Sequence, residues 1–130
     1  MIARLYLLQQ QLLDLIIETE RVWCACTPCP ELHMARYRMA CLGRQRHQLL
    51  EDCLYSRAEA DGGNPIRMSQ IDNLRREGRV QFLASCNHIS EWTAKSIEAD
   101  WPGYVAAARS LTSSVRQRIE REREVFKAKP

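Results

Sequence analysis

The sequence predicts an all-α protein in which four helices form an antiparallel up-down-up-down bundle. Apolar residues recur in alternating steps of three and four along most of the chain, which is helical spacing. The 130 residues include only five Gly and five Pro, whereas a sheet protein needs turn residues at frequent intervals. Short segments break the apolar pattern three times, and short connections make consecutive helices antiparallel neighbours. We expect one domain over residues 1–130, because a chain of this length buries a single core.

The first predicted helix covers residues 2–26. It stops at the segment TPCP, where two prolines prevent the helix from continuing. A run of four apolar residues before the glutamines is too short for a signal peptide or a membrane span, so we expect a cytoplasmic protein with reduced thiols. The stripe that faces the partner helices consists of Leu5, Leu8, Leu12, Leu15, Thr19, Val22 and Cys26.

The second predicted helix covers residues 30–60. Pro30 is tolerated in the first turn, and Glu31 suits the positive end of the helix dipole. Gly62 and Gly63 supply the C-terminal cap, after which Asn64 opens the next helix. The buried stripe of this helix is predicted to be Leu32, Ala35, Met39, Leu42, Arg46, Leu49 and Cys53.

The third and fourth predicted helices cover residues 65–99 and 102–127. The segment DWPG between them interrupts the pattern, because a residue before proline avoids the helical conformation. The third helix is long for a compact domain, which makes it the candidate for a kink. In the fourth helix, the alternating charges of RQRIEREREVF indicate a solvated face.

The predicted topology brings aromatic residues from all four helices to one end of the bundle. We expect an aromatic plug over the core as the structural reading of this cluster, and a binding surface as its functional reading. The set consists of Trp23, Trp92, Trp101, Tyr37 and Tyr104.

The segment CACTPCPELH places four thiolate or imidazole ligands within ten residues: Cys24, Cys26, Cys29 and His33. Their spacing makes zinc or copper binding an alternative, and the CxxC pair gives a redox alternative. A second ligand pair is missing from the sequence, and a bundle this apolar needs no metal to fold.

Arginine clusters on the second and third helices raise nucleic-acid binding as a further alternative. The chain reverses near residue 63, so residues of these two antiparallel helices lie side by side when their numbers sum to about 126. Arginines from both helices then lie at a similar height and form a basic belt. Acidic residues interrupt this belt, and the net charge of +3 is small. The belt consists of Arg36, Arg44, Arg75, Arg76 and Arg79.

Arg46 is the one charged residue on a predicted buried stripe. An unpaired buried charge is costly, so we expect a carboxylate partner, with Glu77 the first candidate by register. Gly78 beside it leaves a notch for a bulky neighbour. The alternative is that Arg46 extends to solvent along its aliphatic stem.

The pattern as a whole points away from catalysis. Neither a nucleophile with an oriented base nor a glycine-rich phosphate loop is present. The leading hypothesis is a non-enzymatic helical interaction module without a cofactor, which is a small adaptor, regulator or inhibitor. Its expected partner is another protein or a second copy of itself, and it acts through the tryptophan-rich end or an exposed helix face.

Overall fold

The computed structural model describes residues 2–25 and 27–127, and it contains helices but no strand in these ranges. The all-α prediction is therefore confirmed. Among the described helices, none has the combined length and apolarity that crossing a membrane requires. The elements are α1 (Ile2–Trp23), α2 (Pro30–Leu49), a π-helical turn (Leu50–Leu54), α3 (Tyr55–Ala60), α4 (Pro65–Glu91), α5 (Ala94–Ala99) and α6 (Trp101–Phe126).

Helix α1 is the central packing element. It packs along α2 and also contacts α6, while α4 contacts α6 and α3. Helix α2 contacts α4 much less than it contacts α1. The predicted stripe is buried at five positions and then continues to Trp23 rather than to Val22. The chain leaves the helix there through tight turns in which Cys24 N–H donates to Arg21 O and Ala25 N–H donates to Val22 O.

The π-helical turn changes which residues of the second predicted helix are buried. Up to Arg46 the buried positions follow the predicted stripe, but beyond it Leu50, Leu54 and Tyr55 are buried. Leu49 and Cys53, which the uninterrupted spacing predicts, are only partly buried. A π turn has its hydrogen bonds between residues five apart, so it accommodates an extra residue and rotates the following turns.

The third predicted helix is not kinked but divided. Helix α4 ends at Glu91, Trp92 has φ −102° and ψ 83°, and α5 begins at Ala94. Thr93 forms a capping box, because its side chain accepts from Ser96 N–H at 3.2 Å and Ser96 Oγ accepts from Thr93 N–H at 2.8 Å. These bonds satisfy the N-terminal donors of a new helix and so compete with continuation of the old one.

Helix α6 begins one residue before the predicted start. Asp100 is its N-cap and accepts a hydrogen bond from Gly103 N–H at 3.0 Å, and Pro102 lies in the first turn. Seven side chains of α6 are buried, so this helix and α1 supply most of the interior.

The apolar interior forms two separate clusters. One contains Leu5, Leu50, Leu54, Tyr55, Ile71, Leu74 and Phe126. The other contains Trp23, Leu32, Ile97, Tyr104 and Ala108. The first cluster uses the start of α1 and the end of α6, and the second uses the end of α1 and the start of α6. The two clusters therefore lie toward opposite ends of the molecule, and neither extends through its middle.

Candidate functional site

Four of the five predicted aromatic residues lie together at one end of the molecule. The ring of Tyr104 is 5.6 Å from that of Trp92 and 5.7 Å from that of Trp101, and Trp23 belongs to the same apolar cluster. Tyr104 and Trp23 are only 2% and 4% exposed, so neither contributes to a surface. Trp92 and Trp101 are partly buried. The tryptophan-rich end therefore serves as core over most of its area.

Tyr37 differs from the other four aromatic residues because its side chain is 68% exposed on α2. The residue before it, Arg36, reaches inward and donates a hydrogen bond to the carbonyl oxygen of Trp92. The guanidinium of Arg36 lies 5.6 Å from the ring centre of Tyr104. Arg36 thus ties α2 to the aromatic end and is not a member of an open basic surface.

The cysteine-rich segment does not converge on a ligand site in the part of the chain that the structure describes. Cys24 and His33 are exposed, and Cys29 is partly buried at the N-cap of α2. The fourth candidate, Cys26, lies outside the described residues. Across residues 2–25 and 27–127, no three His, Cys, Asp or Glu side chains are grouped so that they hold a metal ion.

The arginines of the predicted belt are mostly engaged within the protein. Arg79 makes two hydrogen bonds of 2.9 and 3.1 Å to the Glu51 carboxylate. This pair lowers the pKa of Glu51 and raises that of Arg79. Arg75 and Arg76 lie 2.7 Å from Glu59 and 3.0 Å from Asp72, respectively. A polyanion that binds Arg75, Arg76 and Arg79 therefore has to displace these carboxylates. Arg44, the remaining member of the predicted belt, is exposed.

Arg46 is buried as predicted, but the carboxylate beside it belongs to Glu122 and not to Glu77. Arg46 is 8% exposed and Glu122 is fully buried, and Arg46 Nη2 donates to Glu122 Oε2 at 3.3 Å. Arg46 also donates to Gln81 Oε1 at 3.1 Å. Glu77 is half-exposed, binds Arg121 and lies 3.8 Å from Arg118 Nη1. Pairing by residue number relates only the second and third predicted helices, whereas the carboxylate beside Arg46 comes from the fourth.

A second arginine, Arg118, shares the same carboxylate. Arg118 Nε donates to Glu122 Oε2 at 3.0 Å, and Arg118 is only 5% exposed. Gln9 donates to Glu122 Oε1 at 3.1 Å, so the single carboxylate accepts from three side chains. We call Arg46, Arg118 and Glu122 the buried charge cluster. Two guanidinium groups face one buried carboxylate, which leaves the cluster with a formal charge of +1.

Gly78 and Tyr55 make room for this cluster. Arg118 Nη2 donates to Tyr55 Oη at 2.7 Å, and burial raises the pKa of Tyr55 to about 12. A Cβ atom at Gly78 would lie 3.1 Å from the Arg118 guanidinium carbon and 3.3 Å from Tyr55 Oη. The notch predicted at Gly78 therefore holds side chains from two other helices.

Two histidines border the interior near these groups. His47 stacks on Phe82 with ring centres 4.1 Å apart, and His88 lies 5.8 Å from Tyr104. Burial lowers the pKa of both histidines, and positive charge from Arg46 and Arg36, respectively, lowers it further, although Glu51 and Glu91 act in the opposite direction. Both imidazoles consequently bind a proton less readily than an exposed histidine does.

A cavity of about 150 Å³ lies between the two apolar clusters. Residues of α1, α2, α4 and α6 line it, and the buried charge cluster forms part of its wall. Apolar side chains form most of the remaining wall, including Leu12, Ile16, Met39, Phe82, Leu111 and Val115. The cavity thus combines apolar walls with buried charged groups, which is the usual composition of a small-molecule site.

Sequence reasoning missed Glu122, Arg118 and Gln9, which all lie on inward faces. The charged segment of α6 was interpreted as solvated, but Glu122 occupies the step between Ile119 and Phe126 in the apolar stripe. Gln9 likewise follows Leu5 by four residues on α1. For Glu122 and Gln9, the signal available in the sequence was a polar residue at a position of the apolar stripe.

Comparison of the chain with protein-family models, curated proteins and solved structures found no match.

Proposed function

We propose that this protein is a non-enzymatic helical interaction module whose binding surface is the exposed side of α4. The observation that supports this most directly is the burial of α4. Across its 27 residues only Ile71 and Leu74 are buried. By contrast, α1 buries eight of 22 residues.

A helix with so little burial lacks the usual source of helical stability. Isolated helices are marginal in water, and most stabilisation of a helix in a protein comes from packing its apolar face. The C-terminal half of α4 instead exposes large apolar side chains. We define the α4 face as Val80 and Leu83, which lie one helical turn apart and are 71% and 61% exposed. A partner that covers this face supplies the missing burial.

A second copy of this chain is the partner we propose for the α4 face. A two-fold dimer buries the same patch on both copies, and apolar side chains on one helix can pack against the same side chains of a second copy. If two α4 helices pack antiparallel about Leu83, the basic region around Arg76 lies level with the region of Glu91 in the second copy. Opposite charges at the rim then favour this register over the parallel one.

The tryptophan-rich end is a weaker candidate for the binding surface. Trp23 and Tyr104 are buried, and the partly buried Trp92 and Trp101 contact Tyr104. Burial of these rings within the molecule leaves little aromatic area to offer a partner. An exposed helix face is consequently preferred over the bundle end.

The proposed architecture is the antiparallel up-down-up-down bundle expected from the sequence, with α5 as a short addition before α6. Contacts from α1 to α2 and α6, and from α4 to α6 and α2, support this order around the bundle. We propose a cytoplasmic location, which fits Cys29, Cys41, Cys53 and Cys86 as thiols outside disulfides.

Sedimentation-velocity ultracentrifugation of the purified protein tests the proposed self-association. We expect a dimer at micromolar concentration, and Leu83→Glu should convert it to a monomer, because the change buries an unpaired carboxylate in the interface. Leu7→Glu is the matched control, since Leu7 is 54% exposed on α1. It should leave the dimer intact.

Two results contradict the proposal. The first is a wild-type protein that stays monomeric up to about 100 μM, a range in which a specific dimer interface of ordinary size is populated. The second is equal weakening of the dimer by Leu7→Glu and Leu83→Glu, which would place the interface elsewhere or reduce it to non-specific apolar contact.

A further inference from the structure

The cavity has one wall whose charge is incompletely balanced. Arg46 and Arg118 both line it, and Glu122 is the only carboxylate of the buried charge cluster. The cluster has four other polar contacts. Three are to the neutral side chains of Gln9, Gln81 and Tyr55. The fourth is to Glu77, whose nearest oxygen is 3.8 Å from Arg118 Nη1. Glu77 is also bound by Arg121 at the surface. The second positive charge of the cluster therefore has only this distant, half-exposed and shared carboxylate as its counter-charge.

Arg118 also has an unused hydrogen-bond donor at this wall. Its Nη1 atom is buried and has no hydrogen-bond acceptor among the described residues. Buried donors of this kind are rare in folded proteins, and a charged one is especially costly. Arg46 Nε is 3.3 Å from Glu122 Oε1 without hydrogen-bond geometry, so it is a second donor with no acceptor in the described part of the chain.

We propose that this cavity binds a small amphipathic monocarboxylate, with the carboxylate at Arg118 and Arg46 and the apolar portion against the walls formed by α1, α4 and α6. The ligand's negative charge brings the buried charge cluster to neutrality. Its oxygens accept from the guanidinium donors, and charge-assisted bonds of this kind are the stronger class. This inference is independent of the proposed interaction through the α4 face.

The size and lining of the cavity restrict the ligand. A cavity of about 150 Å³ holds a molecule of benzene-like size, or a carboxylic acid of about eight non-hydrogen atoms. Leu12, Ile16 and Val115 offer no hydrogen bonds, so an inorganic anion such as phosphate satisfies the charge but leaves the apolar wall without a partner. A neutral molecule fills the space but leaves the arginine donors unsatisfied.

Gly43 provides a way to fill the cavity without touching its charges. It lines the cavity from α2, and a Cβ atom built on it meets nothing within 4 Å. A larger side chain there enters open space while replacing a glycine in a helix, which favours helix formation. Gly43→Leu should therefore remove the binding volume and leave Arg46, Arg118 and Glu122 in place.

Isothermal titration calorimetry with hexanoate, hexan-1-ol and inorganic phosphate tests the proposal. We expect saturable one-to-one binding of hexanoate. Hexan-1-ol and phosphate should each bind at least about tenfold more weakly, because hexan-1-ol has no negative charge and phosphate has no apolar portion. Gly43→Leu should abolish hexanoate binding while circular dichroism shows an unchanged helical spectrum.

Removal of a single positive charge tests whether the buried charge cluster, rather than the charge of the protein surface, binds the carboxylate. Arg118→Met should weaken hexanoate binding at least about tenfold. Arg57→Met, an equal charge change at an exposed position of α3, should leave it unaltered. Leu83→Glu should also bind hexanoate normally, so failure of the dimer proposal and failure of the ligand proposal give different results.

Four outcomes overturn the proposal. Equal affinity for hexanoate and hexan-1-ol would reduce the site to an apolar cavity. Equal affinity for phosphate, or retained hexanoate binding in Gly43→Leu, would place the anion outside the cavity. An absence of saturable hexanoate binding to the wild-type protein overturns it directly and does not depend on whether Arg118→Met folds.

Discussion

Glu122 is the side chain on which the interior depends most, and Glu122→Gln tests this. The substitution keeps the shape of the residue and removes its charge. It leaves the nearly inaccessible Arg46 guanidinium without a carboxylate, and it leaves Arg118 with only the half-exposed Glu77 carboxylate at 3.8 Å. Their remaining close partners, Gln81 and Tyr55, are neutral.

The expected cost follows from the bonds that Glu122 accepts. Arg46 and Arg118 each make one charge-assisted hydrogen bond to it, and such bonds contribute about 1.5–3 kcal/mol each. Removal of one partner from a buried ion pair typically destabilises a protein by about 3–5 kcal/mol, in the same range. We expect the free energy of unfolding to fall by this amount, a large share of the about 5–15 kcal/mol that holds a domain folded.

Urea denaturation followed by circular dichroism measures this change. Glu124→Gln is the matched control, because Glu124 is exposed on the same helix and contacts Lys127 at 2.8 Å. We expect the control to lie within about 0.5 kcal/mol of the wild-type protein, as is usual for exposed ion pairs. Combination of Glu122→Gln with Arg118→Met should cost less than the sum of the two single changes by at least about 1 kcal/mol.

A loss below about 1 kcal/mol for Glu122→Gln would refute this reasoning, since two buried guanidinium groups that lose their shared buried carboxylate are destabilised by more than that. Strict additivity in the double variant would also refute it, because independent residues add and members of one network do not.

Two further predictions concern glycine and histidine positions. Gly78→Ala should lower the free energy of unfolding by about 1–3 kcal/mol through overpacking, because the new Cβ lies 3.1 Å from a guanidinium carbon of the buried charge cluster. Gly43→Ala, in open space, should instead raise it by about 0.5–1 kcal/mol in the same urea assay. The folded-state pKa values of His47 and His88 lie below their ordinary 6.5, so the unfolded state binds more protons, and stability should fall as the pH drops from about 6.5 to 5. Replacement of both histidines by Gln should flatten this pH dependence in thermal melts, whereas the control His33→Gln, at an exposed position, should leave it in place. A wild-type stability that does not change over this pH range contradicts the assignment of the pH dependence to His47 and His88.

Sequence periodicity was sufficient for the helical class and for most of the helix starts. Proline and capping residues fix these starts locally, as Asn64 does through its hydrogen bond to Arg67 N–H at 2.8 Å. The break at Trp92 was also encoded locally, in the Thr93 and Ser96 capping box, but the apolar stripe that runs through it concealed it. The π turn after Leu49 has no comparable local signal.

The sequence by itself determined that the chain is helical, that Arg46 lies on the inward stripe of its helix and that tryptophans from distant segments meet at one end. Only the tertiary structure decided that the carboxylate of Arg46 is Glu122, that Arg118 shares it, and that a cavity separates the two apolar clusters. Spacing along a helix specifies which residues share a face, because it depends on backbone geometry alone. The rotation and register of one helix against another depend on how all their side chains pack together, and no single segment contains that information.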